Sequence, residues 1–255
     1  MTLRGALELI LFKSLVDLKA EASRSYLGVL WWVIEPVLYL GAFYLLFEVV
    51  LRRGDADFVP SFLTGAVAWK WFAGGTQWGS VAIWTHLTLI QQVRVPKFIF
   101  PAIAVTGATF RFAVVFLLLV VFLVAHGCRP DAAWAWLPLL LAAQFLLVLA
   151  TGTLASAITP FVPDVKPMID NGLLLMFFLS GVVYDIHAVS EPLRGYLMLN
   201  PMAALIDGYR AVLVRGQAPD AAGIGFAAIA AAVILACGLA ALRHLDRRFG
   251  KVRFG

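Results

Sequence analysis

IAVTGATFRFAVVFLLLVVFLVA, Ile103 to Ala125, decides the fold. Its second half carries the uninterrupted apolar block VVFLLLVVFLV, Val114 to Val124. Roughly 20 apolar residues in a helix cross the hydrocarbon core of a bilayer, and lipid-facing backbone must pair its own polar groups. This stretch meets that requirement. The remaining composition agrees with it. The chain has 255 residues, is 62% hydrophobic and only 14% charged, and its mean hydropathy is +0.90. A water-soluble domain has no means of hiding so much apolar surface. The fold class is therefore an all-α polytopic membrane protein.

Five further candidate spans flank the first, near 29–51, 58–82, 134–158, 168–186 and 223–242, giving six. The last is rich in alanine and glycine, a composition that favours close helix contact. The span at 58–82 holds a GxxxG pair, Gly75 and Gly79, together with Lys70. The span at 29–51 holds Glu35-Pro36. Charge at membrane depth is costly unless it snorkels, pairs or lines an aqueous path, so Glu35 and Lys70 are a candidate pair. The whole chain reads as one membrane domain, 1–255: a lead-in over 1–28, a six-span core over 29–242 and a basic tail over 243–255. No solenoid repeat or low-complexity segment interrupts it. Leu3 to Leu18 is broken by Arg4, Glu8, Lys13 and Asp17, so the start does not read as a secretory signal.

Charge sets the expected topology. Thirteen basic residues fall on one side: Arg4, Lys13, Lys19 and Arg24; Arg94, Lys97 and Arg111; Lys166; Arg243, Arg247, Arg248, Lys251 and Arg253. Six fall on the other: Arg52, Arg53, Arg129, Arg194, Arg210 and Arg215. The positive-inside rule then places both termini in the cytoplasm, and six crossings return the chain to its starting side. A formal charge of +5 would suggest nucleic acid in a soluble protein. Here its distribution reads as topology, and no nucleic-acid partner is expected.

Three segments are neither span nor plain loop. Leu3, Ala6, Leu7, Ile10, Leu11, Leu15 and Leu18 form one helical stripe, which predicts an amphipathic helix at the membrane surface. His86 to Val93 has room for two helical turns, with Pro96 and Pro101 limiting continuation beyond. A short rigid helix pinned between spans transmits force to a docked protein. Asp185 to Gly216, on the outer side, contains LRGYLMLNPMAALIDGYRAVLV, whose phase predicts one or two short helices resting on the membrane or re-entering it. They read as an outer gate or as interfacial packing. Within them, Asp207 and Arg210 stand at local ion-pair spacing.

Motifs for chemistry are missing from the sequence. It contains no GxxxxGK[ST], HExxH or GxSxG. His86, His126, His187 and His244 are scattered near span ends, and Cys128 and Cys237 lie far apart, so metal and disulfide chemistry are not expected. Asp164, Asp170, Asp185 and Asp207 show no catalytic pairing. An intramembrane enzyme is the minor alternative. Most of the eight tryptophans lie near predicted span ends, as an interfacial belt does. Aromatic faces also stack on sugar rings. Trp31, Tyr39 and Tyr44 are the candidate path-lining residues, because a tyrosine hydroxyl inside a span needs a partner.

DLKAEASRSYLGVLWWVIEPVLYLGAFYLLFEVVL, Asp17 to Leu51, resembles the lead-in of ABC-2 class permeases that export polysaccharides such as O-antigen, capsule and teichoic acid. The pattern S-x-LG-x-LW-x-x-x-x-P is met by Ser25, Leu27-Gly28, Leu30-Trp31 and Pro36. The preceding KAEASRSYLG departs from the commoner basic run. FLTGAVAWKWFAGG (62–75), LIQQVRVPKFIFPAIAV (89–105), and LSGVVYDI followed by LNPMAALIDGYRAVLV (199–214) resemble later family segments in the same order. The resemblance implies a second copy of the chain and two nucleotide-binding ABC subunits, which carry ATP and Mg; this chain binds no cofactor. It implies a coupling role for Leu87, Leu89, Ile90, Gln91, Val93 and Arg94. It also implies a lipid-phosphate contact at Arg24, surrounding membrane lipid, a bacterial inner membrane and an undecaprenyl-diphosphate-linked O-antigen as cargo. Export of another lipid or a drug-like substrate is the alternative within the class.

Overall fold

The computed structural model describes residues 3–23, 30–46, 57–92 and 95–249. Ten α-helices run through them: α1 Leu3–Ala22, α2 Trp31–Tyr44, α3 Phe58–Thr85, α4 Leu87–Gln92, α5 Ile99–Ala125, α6 Leu137–Ile158, α7 Val165–Leu179, α8 Leu193–Met198, α9 Pro201–Leu213 and α10 Ala221–Phe249. Single 3-10 turns at Ala132–Trp136 and Ile186–Ala188 precede α6 and α8. Among the described residues, Ile99–Ala125, Ala132–Ile158 and Ala221–Asp246 are long and apolar enough to cross a membrane. The protein is an all-α, multi-spanning membrane protein.

α3 has 28 residues, about 42 Å of helix at 1.5 Å per residue, so length does not limit it. Its polar composition has a packing reason. α3 is the central helix, touching α2, α5, α6, α7 and α9, and most of its side chains are buried by protein rather than lipid. Two hydrogen bonds tie it to α6. Gln144 Nε2 donates to Ala68 O at 2.7 Å, and Thr76 and Thr151 hydroxyls meet at 2.8 Å. The GxxxG pair marks the α3–α6 crossing. A Cβ on Gly79 would stand 2.7 Å from Gly152 Cα, and one on Gly75 only 2.3 Å from Val148 Cγ1. α10 closes on the other side of α6 in the same way, with Gly238 against Leu154 backbone. Small residues at both crossings let the backbones approach.

Several expected boundaries move. α5 starts at Ile99 instead of 103, so Pro101 sits in its first turn, where a missing amide donor costs no helical bond. Arg111 thereby becomes a mid-helix residue and leaves the cytoplasmic count. The expected fifth span, 168–186, is helical only over Val165–Leu179. Fifteen residues make about 22 Å, short of a hydrocarbon core of about 30 Å. The chain then turns through Gly181, whose φ of +70° suits glycine. The sixth helix runs on to Phe249, well into the expected tail. There Lys97 pairs with Asp246, and Phe249 buries against Phe161 with Leu87, Phe100 and Leu242 in one cluster.

α1 is helical as its stripe predicts, but the stripe divides. Ile10, Ser14 and Leu18 are buried, while Leu7, Leu11 and Leu15 stay exposed beside Phe12 and Val16. Ile10 packs on Ile99, Ala102 and Ile103; Ser14 Oγ reaches Ile103 O at 3.0 Å; Glu21 pairs with Arg111. α1 therefore runs lengthwise along the first half of α5, in the same direction.

Candidate functional site

An open groove of about 730 Å³ lies between α2, α3, α5 and α7. The WKW run of α3 builds its floor. Trp71 stacks on Phe112 at 4.0 Å and 11°, and its Nε1 donates to Thr109 Oγ1 at 3.2 Å. Trp69 meets Phe177 of α7 edge-on at 6.1 Å. Trp78, two turns further along α3, is 54% exposed. Trp69 and Trp71 are thus buried in mid-helix and do not belong to an interfacial belt.

Charge enters the groove in pairs. Lys70 Nζ donates to Glu35 Oε1 at 2.5 Å, as the two span charges suggested, and sits 5.3 Å from the centre of the Tyr39 ring. Arg111 pairs with Glu21 and lies 5.2 Å over the Trp78 ring. Arg111 Nε is buried with no hydrogen-bond partner among the described residues. Asp170 also lines the groove and is matched by Lys166 one turn before it on α7. Aromatic faces alternate with hydrophilic pairs, an arrangement suited to an amphipathic cargo and without use for a purely apolar one. Among the described residues, the groove is open on one side. α7 buries only Leu173, leaving Leu174, Leu175, Phe178 and Leu179 exposed.

The sequence-predicted residues divide. Tyr39 lines the groove. Trp31 lies outside it and is 45% exposed, and Tyr44 packs edge-on against Phe122 at 6.3 Å. Arg24, Val93 and Arg94 lie outside the described residues. α4 places Leu87 inward, buried with Ile83 and Phe100, and Ile90 half-buried against the same cluster; Leu89 and Gln91 are exposed. Sequence reasoning missed Trp69, Trp71, Trp78, Glu21 and Arg111 as groove residues. The WKW run, two tryptophans around a charge inside a span, was the available signal.

A second polar assembly lies beyond α7. Arg210 of α9 is buried and surrounded by carbonyls. Its Nε donates to Ser61 O at 2.9 Å, Nη1 to Gly181 O at 2.8 Å and Tyr184 O at 3.0 Å, and Nη2 to Val182 O at 2.7 Å. The expected Asp207–Arg210 pair does not form, because the guanidinium turns inward to those carbonyls. Asp207 instead accepts from Arg215 Nη2 at 2.7 Å and meets His187 Nε2 at 3.1 Å. Asn200 caps α9 through Met202 N and donates to Ser180 Oγ at 2.7 Å. α9 is thereby tied to the end of α7.

Among the described residues no group of His, Cys, Asp and Glu is placed to hold a metal ion. The profile of the family described as ABC-2 type transporter matches residues 17–214, most of the chain. The chain belongs to the ABC-2 type transporter family. This permease is 24% identical over 237 residues to the O-antigen export system permease protein RfbA of Klebsiella pneumoniae, covering 92% of this chain and 91% of that one. It is 29% identical over 221 residues to RfbA of Myxococcus xanthus, with 86% and 85% covered. The polysialic acid transport protein KpsM of Escherichia coli is 21% identical over 231 residues, 89% of each chain. The permease matches these relatives across nearly their whole length, and the matched region contains the groove, α4 and the Arg210 cluster.

Proposed function

We propose that this permease is the transmembrane subunit of an ATP-driven exporter of lipid-linked polysaccharide. Its cargo is undecaprenyl-diphosphate-linked O-antigen, and it works in the bacterial inner membrane. Two copies face each other, with one nucleotide-binding ABC subunit beneath each. The chain crosses six times with both termini in the cytoplasm, the short α7 completing its crossing with the turn and 3-10 segment that follow it. The observation carrying this reading is the groove: aromatic faces beside ion pairs, open on the side of the largely uncovered α7. A second copy supplies the missing wall, and the two grooves together form the path.

The nucleotide-binding subunits bind ATP and Mg and supply the closing motion. α4 receives it through Leu89 and Gln91. Leu87 and Ile90 anchor α4 to the ends of α3, α5 and α10, so a push on α4 moves those helices as one body. The outer helices held by Arg210 form the gate at the far end. Deleting the gene in its native cell is the test. Lipid-linked glycan accumulating on the cytoplasmic face, with surface glycan lost and restored by the gene, is the expected result. Normal surface glycan in a cell with no second exporter rejects the cargo, and export of another lipid or drug-like substrate becomes the reading to pursue.

A further inference from the structure

Both cations of the groove belong to the core, Lys70 on α3 and Arg111 on α5. Both of their carboxylate partners belong to the amino-terminal helices, Glu21 on α1 and Glu35 on α2. All four side chains line one open cavity, and the carboxylates are the more exposed member of each pair. A charge at membrane depth needs a counter-charge, and an arriving anion supplies one, so exchanging a groove-facing carboxylate for it leaves neither cation unpaired. Arg111 is also incompletely used. Its Nη2 serves Glu21, while its buried Nε has no partner among the described residues. A guanidinium presents planar, bidentate donors that match a phosphate better than a single carboxylate oxygen uses them. Asp170, the remaining acid in the lining, is neutralised by Lys166.

We propose that the groove binds a phosphate-class anion between Lys70 and Arg111, and that this anion displaces Glu35 and Glu21. The exchange has a mechanical result. Glu35 holds α2 to α3 and Glu21 holds the end of α1 to α5, so an arriving phosphate group frees both amino-terminal helices from the core at those points. Lys70 and Trp78 are eight residues apart, about 12 Å along α3, and Arg111 lies over Trp78. Two long flexible side chains reach inward across that span to a diphosphate. The inference deepens the cargo reading above and rests on it for the lipid attached to the anion.

The test is equilibrium binding of farnesyl diphosphate to the full-length permease, assembled with its nucleotide-binding partner in nanodiscs. Farnesol and inorganic pyrophosphate serve as competitors. The expected pattern has opposite signs. Lys70→Gln and Arg111→Gln each weaken binding about tenfold, the loss of one charge-assisted contact. Glu35→Gln and Glu21→Gln tighten it several-fold, because the competing anion is gone. Lys70→Arg keeps the charge and the pair and binds within about twofold, which controls for folding. Competition by pyrophosphate shows that the phosphates suffice, and failure to compete shows that the prenyl chain adds affinity; the anion site holds in either case. Farnesol competing as well as the diphosphate overturns the proposal. So does weakening by the glutamate substitutions, which marks the pairs as structural. Normal surface glycan in the deletion cell would refute the cargo reading while leaving these binding signs intact, so the two failures are distinguishable.

Discussion

Replacing Arg210 is the sharpest test of how the outer half of this permease is held. Its three guanidinium nitrogens donate four hydrogen bonds to carbonyls of Ser61, Gly181, Val182 and Tyr184, linking α9 to the start of α3 and to the turn after α7. Arg210→Met keeps much of the length and removes every donor. Each buried acceptor left without a partner costs about 1–3 kcal/mol, and such losses are not additive. Breaking a buried, hydrogen-bonded charge cluster costs about 3–5 kcal/mol in total. Arg210→Lys keeps the charge but offers a point ammonium where a fork is required, so it recovers only part of the loss. Gly65 makes the space: a Cβ there would stand 3.1 Å from Arg210 Nη2, and Gly65→Ala is expected to produce a smaller loss of the same kind. The assay is thermal unfolding of the detergent-purified permease, with limited proteolysis of the 180–200 segment as the local readout. Arg210→Met should lower the midpoint by about 10 °C and speed cleavage there. A midpoint within about 2 °C of wild type, with unchanged cleavage, would refute the claim that this fork holds the outer helices.

Other substitutions separate packing from coupling. Leu87→Ala should destabilise the purified chain by about 2–4 kcal/mol, since Leu87 is 1% exposed. Leu89→Ala on the same short helix should leave the unfolding midpoint nearly unchanged and lower transport per ATP hydrolysed; loss of stability at Leu89 would contradict its placement. Gly79→Ala should cost about 1–3 kcal/mol, because the new Cβ meets Gly152 backbone, whereas Gly74→Ala, whose Cβ meets no described residue within 4 Å, should leave the same melt unchanged or raise it slightly. Cys128 follows α5 in a loop, and burial and then the Asp57 charge push its thiol up. The thiolate is the reactive form, so its labelling by a membrane-impermeant maleimide should be slow at neutral pH and keep rising at alkaline pH beyond the range of a free thiol. Labelling only from the cytoplasmic face would reverse the proposed topology.

The fold was legible where lipid or backbone alone constrains the residues. Val114 to Val124 has no environment but a membrane, and Gly75 with Gly79 has little use in a helix unless another backbone approaches. Lys70 and Glu35 were legible as a pair because charge at membrane depth is expensive and demands an explanation. Periodicity failed where two surroundings share one face. The α1 stripe joins residues that pack on α5 to residues that do not, and hydrophobicity cannot separate them. The end of α7 was hidden for a different reason. LSGVVYD continues with apolar residues past the helix end, and the turn through Gly181 that ends the helix is held by Arg210, some 30 residues later, which donates to the carbonyls of Gly181, Val182 and Tyr184.

The same limit explains the groove. Tyr39 was found because a hydroxyl inside a span needs a partner. Trp69 and Trp71 do not stand out in the sequence, because tryptophan usually settles at interfaces and the set reads mostly as a belt. They are buried in mid-helix because α3 is surrounded by protein and needs bulky side chains to fill the space towards Phe112 and Phe177. Glu21 is the most instructive miss. In the sequence it only weakens the basic run of the lead-in, whereas in the fold it is the counter-charge of a residue 90 positions away. That reversal bears on function. The acids of α1 and α2 do more than anchor those helices, since α1 already packs through Ile10, Ser14 and Leu18: they neutralise Lys70 and Arg111, which without a counter-charge would be costly at that depth. Carboxylates set opposite basic residues in an open groove occupy positions that an incoming anion can claim, and the gain in affinity expected of Glu21→Gln follows from that alone.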